Sequence, residues 1–122
     1  MKKMINNPDN VIDELMSGYV AAYPEYIRRS ELHQRALIGK KRNPQRKVSV
    51  LIGGGSGHEP GFLGYVGQGM ADGVAVGNIF ASPSPIPIQA VTREIDQGHG
   101  VLYIYGNYAG DLMNFEMASE MT

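Results

Sequence analysis

The chain has 122 residues with a hydrophobic share of 43% and a charged share of 19%, which bounds it to one compact globular domain or part of one. A formal net charge of −1 gives no argument for nucleic acid or an acidic substrate, and the absence of cysteine excludes disulfides, thiol nucleophiles and cysteine metal sites. No run approaches the roughly 20 apolar residues of a membrane span, and "MKKMINNPDN" has no apolar stretch behind its lysines, so the expectation is a cytoplasmic protein.

Asn7-Pro8 reads as a helix start, with the cap at Asn7 and proline in the first turn. Val11, Ile12, Leu15, Tyr19, Ala22 and Tyr23 then form an apolar stripe at helical spacing. Eight of the eleven Lys and Arg follow between Arg28 and Lys47, a run without aromatic interleaving that reads as a solvated connector. Val48 to Ile52 reads as a short buried strand and 53–59 as its loop. Pro60 opens a glycine-laced stretch with Phe62, Tyr65, Val66 and Met70 on one side, the pattern of a short helix.

"GVAVGNIFAS" (73–82) reads as a second strand and "PSPIP" as an extended loop. A helix from Pro87 carries Ile88, Val91 and Ile95 and is stopped by Gly98. Val101 to Tyr105 reads as a strand and "GNYAGD" as a second glycine loop, with Asp111 capping a last helix through Leu112, Phe115 and Met121. Strands alternating with helices predict an α/β fold whose parallel-type sheet is flanked by helices. Loops leaving the carboxyl ends of such strands share one edge, so His58 and Asp111 can face one crevice although 53 positions separate them.

The loop "GGGSGHEP" (53–60) lacks the lysine of a phosphate-cradling Walker loop. It also misses the Gly-x-Gly-x-x-Gly register of a dinucleotide fold, because the sixth residue from Gly53 is His58 and from Gly55 is Pro60. A serine elbow would need glycine where His58 stands. What remains is a loop of small residues that a ligand can approach closely, with His58 able to exchange a proton near neutral pH. Asp111 could hold a substrate hydroxyl and take its proton as general base, which suits a small polyhydroxylated substrate. The bland alternatives stay open at this stage: Asp111 as a helix cap, His58 bonded to a backbone carbonyl, Glu59 favouring a helix start.

"GGGSGHEP", "GYVGQGM", "GNIFASPSP" and "NYAGDLMNFEMA", in that order, resemble the substrate-binding subunit of dihydroxyacetone kinases. The resemblance runs the length of the chain and implies the N-terminal part of the subunit's first domain, the remainder and a second domain lying beyond residue 122. It implies phosphoryl transfer to the primary hydroxyl of dihydroxyacetone, from ATP with magnesium or from a phosphocarrier. The donor would sit on a separate domain or subunit, so that this chain binds no cofactor and no metal itself. It implies a homodimer with a small ketose as ligand and no nucleic-acid or membrane partner. By the same resemblance Gly55, Ser56, Gly57, His58 and Ser82 line the ketose site, and Asp111 is the base, assisted by His58.

Three departures stand out. The family's covalent substrate histidine has no counterpart among His33, His58 and His99. Gly106 replaces the lysine common before Asn-Tyr-x-Gly-Asp, removing a charged donor worth about 1.5–3 kcal/mol. Phe62 and Ile86 replace polar residues, so the site is wider and less polar. These departures suggest a longer ketose such as erythrulose, or a non-catalytic paralogue that senses ketose and regulates.

Overall fold

The computed structural model describes residues 3–40 and 47–122. Residues 41–46 of the basic run and residues 1 and 2 lie outside the described part. The sheet has five strands, β1 (Ile27–Arg29), β2 (Ala36–Gly39), β3 (Ser49–Ser56), β4 (Gly73–Ile79) and β5 (Val101–Tyr105), in the order β1-β2-β4-β3-β5. Three helices accompany it: α1 (Val11–Ala22), α2 (Pro85–Ile95) and α3 (Ala109–Met121).

β3 runs parallel to both β4 and β5, as the alternation of strands and helices predicts. The other half is antiparallel: β1 pairs with β2 and β2 with β4. The sheet is therefore mixed, and its antiparallel edge lies inside the run read as a connector. Ala36, Leu37, Ile38 and Gly39 are all buried. Glu94 on α2 secures the turn between β1 and β2. Its Oε1 accepts from Ser30 Oγ at 2.6 Å, from the Glu31 amide at 2.8 Å and from the Leu32 amide at 3.0 Å, while Arg28 Nη1 reaches Oε2 at 3.2 Å.

Asn7 does cap the first turn, its Oδ1 accepting from the Asp9 amide at 2.9 Å. Pro8–Asn10 form a 3-10 turn before α1 begins. α1 buries Ile12 and Met16, with Leu15 and Tyr19 partly covered, and it ends just ahead of Pro24, which disfavours helix at the residue before it. α2 starts at Pro85 rather than Pro87, because Pro85 is already acceptable in a first turn that has no amide partner to lose.

The period-2 alternation of the strands divides the core into two layers. Leu37, Val74 and Val76 point to the layer closed by Ile12, Met16 and Leu63, on the α1 side. Ala36, Ile38, Leu51 and Ala75 point to the layer closed by Ile88, Val91, Ile95 and Phe115, from α2 and α3. Among the described residues no helix is long and apolar enough to cross a membrane, and no group of three metal-ligating side chains occurs.

The strand read as ending at Ile52 continues through Ser56, so the glycines are sheet, not loop. Their lack of Cβ is what lets bulky groups lie against β3. A Cβ on Gly53 would stand 2.7 Å from the Phe115 ring and 2.7 Å from the Ala75 carbonyl oxygen. One on Gly54 would overlap the Phe62 ring, and one on Gly55 would stand 2.7 Å from the Ala81 amide nitrogen.

Candidate functional site

The connection leaving β3, residues 57–72, packs on the α1 face through Leu63 and Val66. The one leaving β5 enters α3 on the opposite face, where Phe115 is buried. Neighbouring parallel strands whose connections part to opposite faces leave a crevice at their carboxyl ends, which is where open α/β sheets bind ligands. A cavity of about 360 Å³ lies there, within the range of small-molecule sites. Gly55, His58, Phe80, Ala81, Ser82, Tyr108, Gly110 and Asp111 line it.

β3 brings Gly55 to the wall, and close backbone packing brings the 80–82 turn against it. Phe80 N–H donates to Ser56 O at 2.7 Å, and Ala81 N–H to Asn78 O at 3.0 Å. Phe80 holds a left-handed backbone (φ 54°), uncommon for a bulky residue, and its ring is largely exposed at the cavity mouth. α3 begins next to Ser82: a Cβ on Gly110 would stand 3.5 Å from the Ser82 Cβ, an ordinary contact. Ser82 Oγ donates to Pro83 O at 3.2 Å.

Asp111 is not the cap of α3. The helix begins at Ala109 with Tyr108 in the cap position, which puts Asp111 third, on the inner side. It is 5% exposed, and its Oδ1 is buried with no hydrogen-bond partner among the described residues. A buried acceptor left unsatisfied costs about 1–3 kcal/mol, which a ligand hydroxyl donating into the cavity would offset. The His58 ring meets Phe62 edge-on at 6.0 Å between centroids and Phe80 at 5.1 Å.

The structure thus brings Gly55, His58, Ser82 and Asp111 together around one cavity. Ser56 and Gly57 frame it from behind: Ser56 Oγ is buried and donates to Gly77 O at 2.8 Å, and Gly57 packs under the Phe80 ring. Gly106 lies beside Asp111, where a Cβ would stand 3.1 Å from Asp111 Oδ2 and 3.1 Å from the Tyr108 ring. Sequence reading missed Phe80, Ala81, Tyr108 and Gly110. Nothing in an apolar residue at a strand end signals that its backbone turns left-handed and tips the ring over a histidine.

A second hollow of about 330 Å³, walled by Tyr19, Tyr23, Tyr26, Pro60, Leu63 and Val66, lies on the α1 face. Tyr19 there is pushed above its usual value by burial, then by the charges of Glu59 and Tyr23. Among the described residues neither a carboxylate nor an imidazole lines this hollow, whereas the first cavity holds both, Asp111 and His58.

Comparison with known proteins agrees with this geometry. PTS-dependent dihydroxyacetone kinase 2, dihydroxyacetone-binding subunit DhaK, of Listeria innocua is 46% identical over 121 residues, covering 99% of this chain and 37% of that protein. The L-erythrulose 1-kinase of Mycolicibacterium smegmatis is 41% identical over 120 residues, covering 98% of this chain and 20% of that protein. The crystal structure of the dihydroxyacetone kinase from C. freundii in complex with AMP-PNP and Mg2+ superposes with a TM-score of 0.90 at 31% identity, over 98% of this chain and 23% of that one. The chain thus spans little more than a third of the Listeria relative's length. Residues 17–122, from the middle of α1 through the cavity to the end of α3, match the Dak1 domain, and the chain belongs to that family.

Proposed function

We propose that the chain is the ketose-binding part of a dihydroxyacetone kinase, and that the cavity between β3 and α3 holds a small ketose for phosphoryl transfer to its primary hydroxyl. Asp111, which lines that cavity and whose buried Oδ1 has no hydrogen-bond partner among the described residues, carries the reading. In this mechanism the ketose hydroxyl donates to Asp111, which takes the proton as the hydroxyl oxygen attacks the donor's phosphorus. The bond from that phosphorus to the donor breaks, and the dephosphorylated donor leaves with the bonding electron pair. His58 and Ser82 hydrogen-bond the remaining oxygens, and the Phe80 and Tyr108 rings shield the reacting end from water. Among the described residues no Lys or Arg lines the cavity to offer charge to a polyphosphate. This supports a donor, ATP with magnesium or a phosphocarrier, carried on a separate domain or subunit.

The same reading makes residues 1–122 the N-terminal part of a larger domain in a cytoplasmic homodimer. The outer edge of β5 supports the larger domain: it has no charge or proline to guard it, and Leu102 and Ile104 are exposed beside it. Erythrulose enters as the second acceptor to try, because the L-erythrulose 1-kinase of Mycolicibacterium smegmatis is 41% identical over nearly the whole chain.

The experiment is a phosphorylation assay on the full-length protein with a competent donor, with dihydroxyacetone and then erythrulose. Asp111→Asn is expected to abolish transfer while ketose binding survives. Activity near wild type in that variant removes Asp111 from the role of base. Ketose binding without transfer from any donor identifies a regulatory paralogue instead.

A further inference from the structure

Glu59 directly follows His58 in the loop that leaves β3, and the mechanism above gives it no task. It does not line the cavity. Its carboxylate turns back on the loop instead, and both oxygens accept from the Gly57 amide, Oε1 at 3.1 Å and Oε2 at 3.0 Å. Gly57 sits in the left-handed region (φ 101°), where a side chain would be strained and would also strike the Phe80 ring. Directly after Glu59, the Gly61 amide donates to the His58 carbonyl at 3.0 Å. The backbone of His58 is therefore clasped on both sides, by the Glu59 carboxylate before it and by the Gly61 amide after it.

We propose that Glu59 is a positioning residue for His58: its carboxylate locks the left-handed turn at Gly57 and thereby holds the imidazole between Phe62 and Phe80, aimed at the ketose. The proposal rests on the ketose-site reading for its consequence, though not for its geometry. A charge-assisted acceptor is among the stronger hydrogen-bonding groups, and two oxygens on one amide leave that amide little freedom to turn. The ring has no hydrogen-bonded anchor of its own among the contacts described; Phe62 and Phe80 touch it only by ring packing. An exposed loop that must present an imidazole in one orientation needs its backbone fixed, and the glutamate supplies that from the chain itself. It also explains an acid next to Pro60 at a place where no α-helix starts: only a 3-10 turn, Leu63–Tyr65, follows.

The test compares Glu59→Gln, which keeps an acceptor oxygen in reach, with Glu59→Ala and Glu59→Asp, which do not. The first readout needs no ligand. The His58 ring protons, seen by proton–carbon NMR, carry the ring-current shift of the two flanking phenylalanines. In Glu59→Ala and Glu59→Asp they are expected to move toward the values of a free histidine, and in Glu59→Gln to stay near wild type. The second readout is dihydroxyacetone titration, where Glu59→Ala is expected to weaken binding about five- to tenfold, and to add nothing in a His58→Ala background. His58 signals in Glu59→Ala that superpose on wild type overturn the proposal, as does an undiminished Glu59→Ala effect in the His58→Ala background. If the wild-type chain binds no ketose at all, the functional reading fails while the ring-proton comparison still decides the clasp.

Discussion

Gly53→Ala adds one methyl group at the point where the sheet, α3 and the site are tied together. The new Cβ would stand 2.7 Å from the Ala75 carbonyl oxygen and 2.7 Å from Phe115 Cζ, both fully inside the core. The carbonyl belongs to the ladder of β4 and cannot yield, so Phe115 must move, together with the stacked Tyr105 ring 4.2 Å away. Overpacking of this kind costs about 1–3 kcal/mol. At roughly 2.1 cal/mol/K of unfolding entropy per residue, each kcal/mol shifts the midpoint of a chain this long by about 4 °C, so Tm falls by about 4–12 °C. Gly18→Ala is the contrast: nothing lies within 4 Å of its Cβ position, in the middle of α1, and the change is expected to raise Tm by up to about 4 °C through helix propensity. Differential scanning calorimetry on both variants gives the answer. If Gly53→Ala melts with wild type, the account of β3 as a strand made of glycine to admit aromatic rings is wrong.

Removing Glu94 takes an acceptor from Ser30 Oγ, from the Glu31 and Leu32 amides and from Arg28 at the β1–β2 turn, although the Leu32 amide keeps Ser30 Oγ and Arg28 keeps the Arg29 carbonyl. Glu94→Ala is therefore expected to lose at least about 1–3 kcal/mol in urea denaturation, with Glu94→Gln losing less. His33 is held below its ordinary value of 6.5, by burial first and by Arg35 second, and its Nδ1 accepts from the Arg35 amide at 3.0 Å. With the folded value the lower one, the unfolded chain binds the proton first as pH falls. The His33 contribution is present above pH 6.5 and lost below it, and His33→Gln should flatten the dependence of Tm on pH across that window.

Elements with a strong period were legible in the sequence, and those defined by partners were not. The stripe from Val11 gave α1, and the alternation of apolar strands with prolines and glycines gave β3, β4, β5 and the helices between them. β1 and β2 are three and four residues long, and two of β1's three residues are arginines, so no local pattern marks them. They become strands because Leu37 and Ile38 find opposite core layers and because Glu94, some 60 positions away, holds their turn. The glycines of "GGGSGHEP" read as loop because glycine weakens strands in isolation; here Phe62 and Phe115 fill the space that side chains would take. Of the site, His58 and Asp111 were visible as chemistry on matched loops. Phe80 and Tyr108 were not, since what puts them there is the path of the backbone.

The central claim is that the cavity bounded by Gly55, His58, Ser82 and Asp111 binds a small ketose. The most direct test is a proton–nitrogen NMR titration of the chain with dihydroxyacetone. The account predicts saturable shifts confined to residues around Gly55–His58, Phe80–Ser82 and Gly106–Asp111, sharply reduced in His58→Ala. No shifts at those positions, or shifts centred on Tyr19, Tyr23 and Tyr26 across the sheet, would contradict it.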